Sequence, residues 1–124
     1  MTQKYKTMEE LKADLIGFNG TEQYHKLTLT PMLATDGAAY LCKSAACYWL
    51  ADLIASYQIG DKVKGAPFQI WTVRVEDDKT AVVKMQEDQG ERVIVSQKIG
   101  YCDLPAGELK LYLIDNVLLL PDEY

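Results

Sequence analysis

The sequence lacks most of the residue groups from which small catalytic and metal-binding sites are built. It has three cysteines, an odd number with no Cys-x-x-Cys pair, and His25 is its only histidine. The cysteines argue against a disulfide framework, and one histidine without clustered ligands argues against a zinc or other transition-metal site. The phosphate-binding patterns GxxxxGK(S/T) and GxGxxG and the nucleophile pattern GxSxG are also missing. We therefore predict no cofactor, no metal and no catalytic constellation.

Long apolar runs and basic runs are missing as well. No apolar stretch approaches the ~20 residues that a membrane-spanning helix needs, and the first residues contain no apolar signal-peptide core. The 13 Lys and Arg residues are outnumbered by 18 Asp and Glu residues, which gives a net charge of −5. Nonspecific nucleic-acid binding depends on cations that displace counterions. These absences predict a cytoplasmic protein with reduced thiols, no membrane contact and no direct nucleic-acid partner.

What is present is the composition of an ordinary globular protein. The 124 residues, 48% of them hydrophobic, fit a single domain spanning 1–124. A first helix is predicted at the start, because Thr7 and Glu10 have the spacing of a capping box. An apolar stripe at helical spacing then continues to Phe18, and Gly20 is suited to end the helix.

A second helix is predicted from Ala45 to Tyr57, with Ser44 as its cap. This segment is apolar on nearly every side, so we expect it to be the buried centre of the domain. Before it, residues Tyr24 to Thr30 alternate as in a strand. The dipeptide Asp36–Gly37 is typical of a tight turn, which predicts a hairpin into residues 38–42.

From Phe68 onward the hydrophobic period changes to two, which indicates strands separated by short turns. The predicted strands are Phe68–Glu76, Thr80–Glu87, Arg92–Ile99, Glu108–Ile114 and Val117–Leu120. Together with the helices, this pattern predicts an α+β domain. We expect two helices packed on one face of a mainly antiparallel meander sheet of about five to seven strands.

Five polar residues are candidates for a ligand-binding site, because each lies at a turn, at an element end or inside an apolar stretch. They are Glu22, His25, Asp36, Asp52 and Asp103. Asp52 is unusual because it interrupts the apolar helix. Carboxylates that converge could perform acid–base chemistry, although each of these acids could instead bond its own turn or a neighbouring side chain. A cysteine activated by His25, with Cys42 or Cys47 as nucleophile, is a further option that position argues against.

Several short strings resemble a known family when they are taken in order. They are Gly20-Thr21-Glu22 with Tyr24, Thr35-Asp36-Gly37 with Tyr40, Tyr48-Trp49-Leu50 with Asp52, Phe68-Gln69 with Trp71, Tyr101 and Asp103 with Pro105, and Leu118-Leu119-Leu120-Pro121 with Glu123-Tyr124. In these strings the chain resembles a family of small bacterial proteins, also found on phages and plasmids, that is catalogued as a domain of unknown function. Cys102 departs from the pattern, which has a hydroxyl residue there. The resemblance implies a stand-alone domain without an established activity.

Three functional hypotheses follow. The favoured one is a non-enzymatic module that binds another protein or regulates it, since the acidic balance and eight tyrosines suit a protein surface. By analogy with phage and plasmid proteins, such a module could act on a host complex. The second is a small enzyme or ligand binder whose polar pocket joins Glu22, His25, Asp36 and Asp103. The third is a structural homo-oligomer in which the last strand, Val117–Leu120, pairs with its copy.

Overall fold

The computed structural model describes residues 5–60, 63 and 66–124. Helices α1 (Met8–Leu15), α2 (Asp36–Ser44) and α3 (Tyr48–Ile59) precede most of the sheet. The strands are β1 (Leu33–Ala34), β2 (Phe68–Val75), β3 (Ala81–Gln86), β4 (Val95–Ile99), β5 (Gly107–Ile114) and β6 (Val117–Leu119). A short 3₁₀ helix, Pro121–Glu123, follows β6. None of the helices in these ranges is long and apolar enough to span a membrane.

The α+β class and the mainly antiparallel sheet are confirmed, with three helices in place of two. The six strands lie in the order β1-β6-β5-β2-β3-β4, and only the β1–β6 pair is parallel. Strands β2 to β4 form the expected meander. The chain then crosses from β4 to the other side of β2, where β5 pairs antiparallel along its whole length. Strand β5 is therefore a central strand and does not continue the meander.

The helices cover one face of the sheet, and the core lies between them. Every second residue of β2, including Trp71, Val73 and Val75, points into this core and is at most 3% exposed. From α3, the ring of Tyr57 packs 5.8 Å from that of Trp71. In the described ranges no α-helix lies on the opposite face of the sheet, as antiparallel sheets permit, and we refer to this face as the open face.

The first helix begins as predicted. The Thr7 hydroxyl accepts a hydrogen bond from the Glu10 amide, and the Glu10 carboxylate accepts one from the Thr7 amide. The hairpin from β5 to β6 also follows the local sequence. Its turn residues, Asp115 and Asn116, have φ values of 49° and 67°, as a two-residue type I′ turn requires.

The expectation that the apolar helix is the buried centre of the domain is wrong, because only Leu50, Ala51, Ile54 and Ala55 of α3 are buried. Three local predictions between residues 24 and 47 are wrong as well. The predicted strand Tyr24–Thr30 is reduced to one bridge, in which His25 pairs with Ala34. Asp36–Gly37 does not turn a hairpin but begins α2, whose N-cap is Thr35. Ser44 caps no helix, because it is the last residue of α2, and α3 starts after Cys47 without a side-chain cap.

Candidate functional site

The structure joins three of the five candidate residues at the N-terminus of α2. His25 Nε2 lies 2.7 Å from Asp36 Oδ1, and the backbone N–H of Glu22 donates to Asp36 Oδ2 at 3.0 Å. The Asp36 amide in turn donates to the Thr21 hydroxyl at 2.9 Å. His25 is positioned by its two backbone hydrogen bonds to Ala34, each 2.8 Å long. We call this group, together with Thr35, Gly37 and Glu123, the α2 corner.

The electrostatics of the α2 corner favour an ionised Asp36. The hydrogen bond with His25 is the main cause that lowers the pKa of the Asp36 carboxyl, and the backbone hydrogen bond from Glu22 adds to it. An acid in the first turn of a helix is also favoured by the positive end of the helix dipole. Asp36 is therefore a fixed negative charge that orients the imidazole of His25.

Glu123, which no sequence argument selected for a site, completes the α2 corner from the other end of the chain. Its Oε1 accepts from the Thr35 hydroxyl at 2.5 Å and from the Leu120 amide at 3.0 Å. Its Oε2 accepts from the Gly37 amide at 3.0 Å. One carboxylate thus satisfies a first-turn amide of α2 and ties the 3₁₀ helix to it.

Gly37 leaves room for the same contact. A Cβ atom at this position would lie 2.6 Å from Glu123 Oε1 and 2.7 Å from Leu120 Cδ1. The strings Thr35-Asp36-Gly37 and Leu120-Pro121 with Glu123 therefore meet in space and depend on each other.

The chemistry available to the α2 corner is restricted. A histidine oriented by a carboxylate is a general-base arrangement, but both Asp36 oxygens and both Glu123 oxygens already accept hydrogen bonds from the protein. Among the described residues, no hydroxyl or thiol is hydrogen-bonded to the His25 ring as a nucleophile would be. Nor do any three His, Cys, Asp or Glu side chains of that part of the chain come together as a metal site would require.

The cysteines do not supply the missing nucleophile. Cys42 and Cys47 are completely buried, whereas His25 is partly exposed and bonded to Asp36. A hydrogen bond with Cys42, followed by burial, raises the pKa of the Cys47 thiol. Burial is also the main cause that raises the pKa of Cys102. A pair of His25 with Cys42 or Cys47 is therefore not formed.

The other two candidate acids lie elsewhere. Asp52 is exposed on α3. Asp103 hydrogen-bonds Tyr101 and thereby raises the pKa of that phenol. The backbone N–H of its neighbour Cys102 donates to the carbonyl of Lys79, in the turn between β2 and β3. The α2 corner instead lies beside β1, at the edge of the sheet, with β6 and β5 between β1 and β2, so Asp103 is not part of it.

A second feature, which the sequence did not predict, is a groove beside the first half of β5. It has a volume of about 550 Å³, within the range of ligand sites. Its walls are the α1 segment, β5 and the start of the 3₁₀ helix. The lining residues are Glu9, Lys12, Ala13, Leu15, Ile16, Glu108, Leu109, Lys110, Leu120, Pro121 and Asp122.

The groove exists because β6 is shorter than β5. Strand β6 pairs with residues 112–114 of β5 only, whereas β2 pairs with all of residues 107–114. Continuing the register that pairs Tyr112 with Leu119 would place Pro121 opposite Lys110. Proline has no N–H to donate, so it ends the ladder there. Among the residues that the structure describes, the first half of β5 therefore has one unpaired edge.

The hairpin geometry identifies the unpaired backbone groups. In a two-residue hairpin the residues flanking the turn, Ile114 and Val117, form a hydrogen-bonded pair, and such pairs recur at every second residue. The backbone groups of Glu108 and Lys110 consequently point away from β2. Within the described part of the chain, no residue pairs with these two on that side.

Comparison with known proteins gives one match. No curated protein and no solved structure shows significant similarity to the chain. A family model described as a family of unknown function, DUF6876, matches residues 9–124. This range covers most of the chain and includes both the α2 corner and the groove beside β5. The chain therefore belongs to the family DUF6876.

Proposed function

We propose that this protein is a non-enzymatic module that acts in the cytoplasm by binding another protein. The observation that carries the proposal is the unpaired edge of β5 at Glu108 and Lys110, next to the groove. A segment of the partner would bind there in extended form and add a strand to the sheet. The backbone hydrogen bonds would hold it, and the groove would receive its inward side chains.

The edge is suited to this role because its outward backbone groups face a groove whose base is apolar. Leu109 and Leu120 are buried at the base of the groove, whereas Ile16 on its wall is 72% exposed. An unpaired edge is a risk of aggregation that proteins limit by charge or by shortness. Here the free stretch is short and bears Glu108 and Lys110, which permits binding of a short segment and disfavours longer pairing.

The two alternative functions receive less support. The carboxylates of Asp36 and Glu123 are occupied by donors of the protein itself, so a polar ligand would have to displace these hydrogen bonds. The proposed oligomer would need β6 as a free edge. Strand β6 instead lies between β1 and β5 and pairs with both, so pairing of copies through residues 117–120 is less favoured. A role on phages or plasmids, where such a module could act on a host complex, is part of the proposal only through the resemblance.

Two variants at one position test the proposal. Lys110→Pro removes an edge N–H without removing a hydrogen bond to β2, whereas Lys110→Ala keeps that N–H and removes the side chain. A library of extended seven-residue peptides is screened against the wild type, and affinities are measured by fluorescence anisotropy. We expect Lys110→Pro to weaken the selected peptides about tenfold relative to Lys110→Ala, as loss of one backbone hydrogen bond implies.

Hydrogen exchange locates the binding. In the bound state the amides of Glu108 and Lys110 should become protected, because they become donors in a ladder. The far-ultraviolet circular dichroism of both variants serves as the folding control. Peptides that bind Lys110→Pro and Lys110→Ala equally well, without protecting these amides, would show that the β5 edge is not the site.

A further inference from the structure

The charges around the free edge of β5 have an order that a partner segment must match. The side chains of Glu108 and Lys110 lie on the open face, because they alternate with the buried Leu109 and Leu111. Glu108 is opposite Arg74 in the sheet. Lys110 makes no ion pair with any described residue. An incoming antiparallel strand, read from its N-terminus, would thus meet the ammonium of Lys110 first and the carboxylate of Glu108 two residues later.

Cross-strand neighbours determine which residues the strand should carry. In an antiparallel pair, the residue opposite Lys110 and the residue opposite Glu108 would both extend over the open face, about 5 Å from these side chains. Opposite charges at such positions stabilise pairing and like charges destabilise it. The residue opposite Lys110 is therefore acidic, and the one opposite Glu108 is basic.

The residue between these two would point to the other face. There it would meet the buried side chains of Leu109 and Leu120 and the α1 residue Leu15, all of which line the groove. An apolar side chain at this position would be removed from water, which favours binding.

From this arrangement we infer that the partner binds through an extended segment that reads acidic, apolar, basic from its N- to its C-terminus, antiparallel to β5. The inference rests on the strand addition proposed above and specifies the chemistry of the segment. The segment belongs to another protein and not to a second copy of this chain, although the sequence Glu108-Leu109-Lys110 itself has the acidic, apolar, basic order. Leu120 is extended and in register with Leu111, so the opening accepts only about three paired residues.

A second copy would have to bring its own α1 and 3₁₀ helix into the same opening. Three paired residues also provide far less than the roughly 1,200 Å² that stable protein interfaces bury. A flexible segment of a larger partner needs neither condition.

The test uses two peptides of identical composition. Ser-Gly-Thr-Glu-Val-Lys-Thr-Gly-Ser has the inferred order, and Ser-Gly-Thr-Lys-Val-Glu-Thr-Gly-Ser has the reverse. Each is titrated into the ¹⁵N-labelled protein, and dissociation constants are taken from the amide shifts of Glu108 and Lys110. Equal net charge removes long-range attraction from the comparison. We expect the acidic-first peptide to bind about three- to tenfold tighter to the wild type.

Exchange of the two charges should reverse the preference. In the double variant Glu108→Lys with Lys110→Glu, the basic-first peptide should bind tighter by a similar factor. Lys98→Glu is the control, because Lys98 is also exposed on the open face but lies on β4, three strand spacings from β5. This variant should keep the wild-type preference.

Each other outcome has a definite meaning. If both peptides bind equally and Lys110→Pro weakens both, strand addition stands and the charge order is overturned. If neither peptide shifts these amides up to millimolar concentration, while library peptides bind and protect them, the inferred order is again overturned. If no peptide of any kind reaches the edge, strand addition itself fails. A dimer in sedimentation velocity that Lys110→Pro dissociates would identify a second copy as the occupant and overturn the inference.

Discussion

Glu123 offers a quantitative test of the α2 corner, because one side chain at the end of the chain accepts three hydrogen bonds. The donors are the Thr35 hydroxyl and the amides of Gly37 and Leu120, at 2.5, 3.0 and 3.0 Å. In Glu123→Ala all three lose their acceptor. Glu123 is only half-buried, so water can replace part of each interaction, and we take about 1 kcal/mol for each one. The expected loss in the free energy of unfolding is then about 3 kcal/mol.

Glu123→Gln refines the expectation. The amide oxygen of glutamine can still accept from Thr35 and Leu120, but its NH₂ group would face the amide of Gly37, and two donors cannot bond each other. We expect this variant to lose about 1 kcal/mol. Asp122→Ala is the matched control, since Asp122 is an exposed acid in the same 3₁₀ helix and should change stability by less than about 0.5 kcal/mol.

Urea unfolding followed by circular dichroism measures these differences from the midpoint and slope. For a chain of this length, the Glu123→Ala loss corresponds to a fall in Tm of about 10 °C. If Glu123→Ala proves no less stable than Asp122→Ala, the three hydrogen bonds contribute nothing, and the mutual dependence of the start of α2 and the 3₁₀ helix is refuted.

Three further predictions concern the same fold. Gly37→Ala should destabilise the wild type and do so less in the Glu123→Ala background, which a double-mutant cycle of urea midpoints would reveal; additive losses would contradict the contact. The lowered pKa of Asp36 implies stability that is present above about pH 4 and lost below it. The difference between wild type and Asp36→Asn in acid unfolding should therefore shrink as the pH falls, and a constant difference would contradict this. Trp71→Ala should cost about 3–5 kcal/mol as a fully buried residue and Trp49→Ala clearly less, and equal losses in urea would contradict their placement.

The strands after Phe68 were predictable because their buried and exposed residues alternate with a short period. This alternation depends only on the local geometry of a strand, in which successive side chains point to opposite faces. The turn at Asp115–Asn116 depends only on the backbone preferences of these two residues. The order of the strands was not predictable in this way. Strand β5 pairs with β2 rather than β4, and nothing in residues 107–114 distinguishes the two partners, since both offer an antiparallel edge.

The start of α2 shows where local patterns are ambiguous. A Thr-Asp-Gly sequence is suited to a turn and equally to a helix N-terminus, because Thr35 can cap and Asp36 favours the first turn. The choice depends on Glu123, which lies 86 residues beyond Gly37 and accepts its amide hydrogen. Proximity in sequence also explains why only part of the candidate site was predictable. Turn residues near one another in sequence, Glu22, His25 and Asp36, did converge, whereas Asp103 is held by Tyr101 and the turn at Lys79.

The sequence by itself determined the class of the fold, the first helix cap, the strands after Phe68 and the turn at Asp115–Asn116. These depend on periodicity and on the backbone chemistry of single residues, which act over a few positions. Only the tertiary structure decided that Glu123 would complete the α2 corner. It alone also decided that, once the β5–β6 ladder ends before Pro121, no described residue pairs with Glu108 and Lys110 on the side away from β2. Both results require residues far apart in the chain to be adjacent, and that adjacency follows from how β5 is placed between β2 and β6.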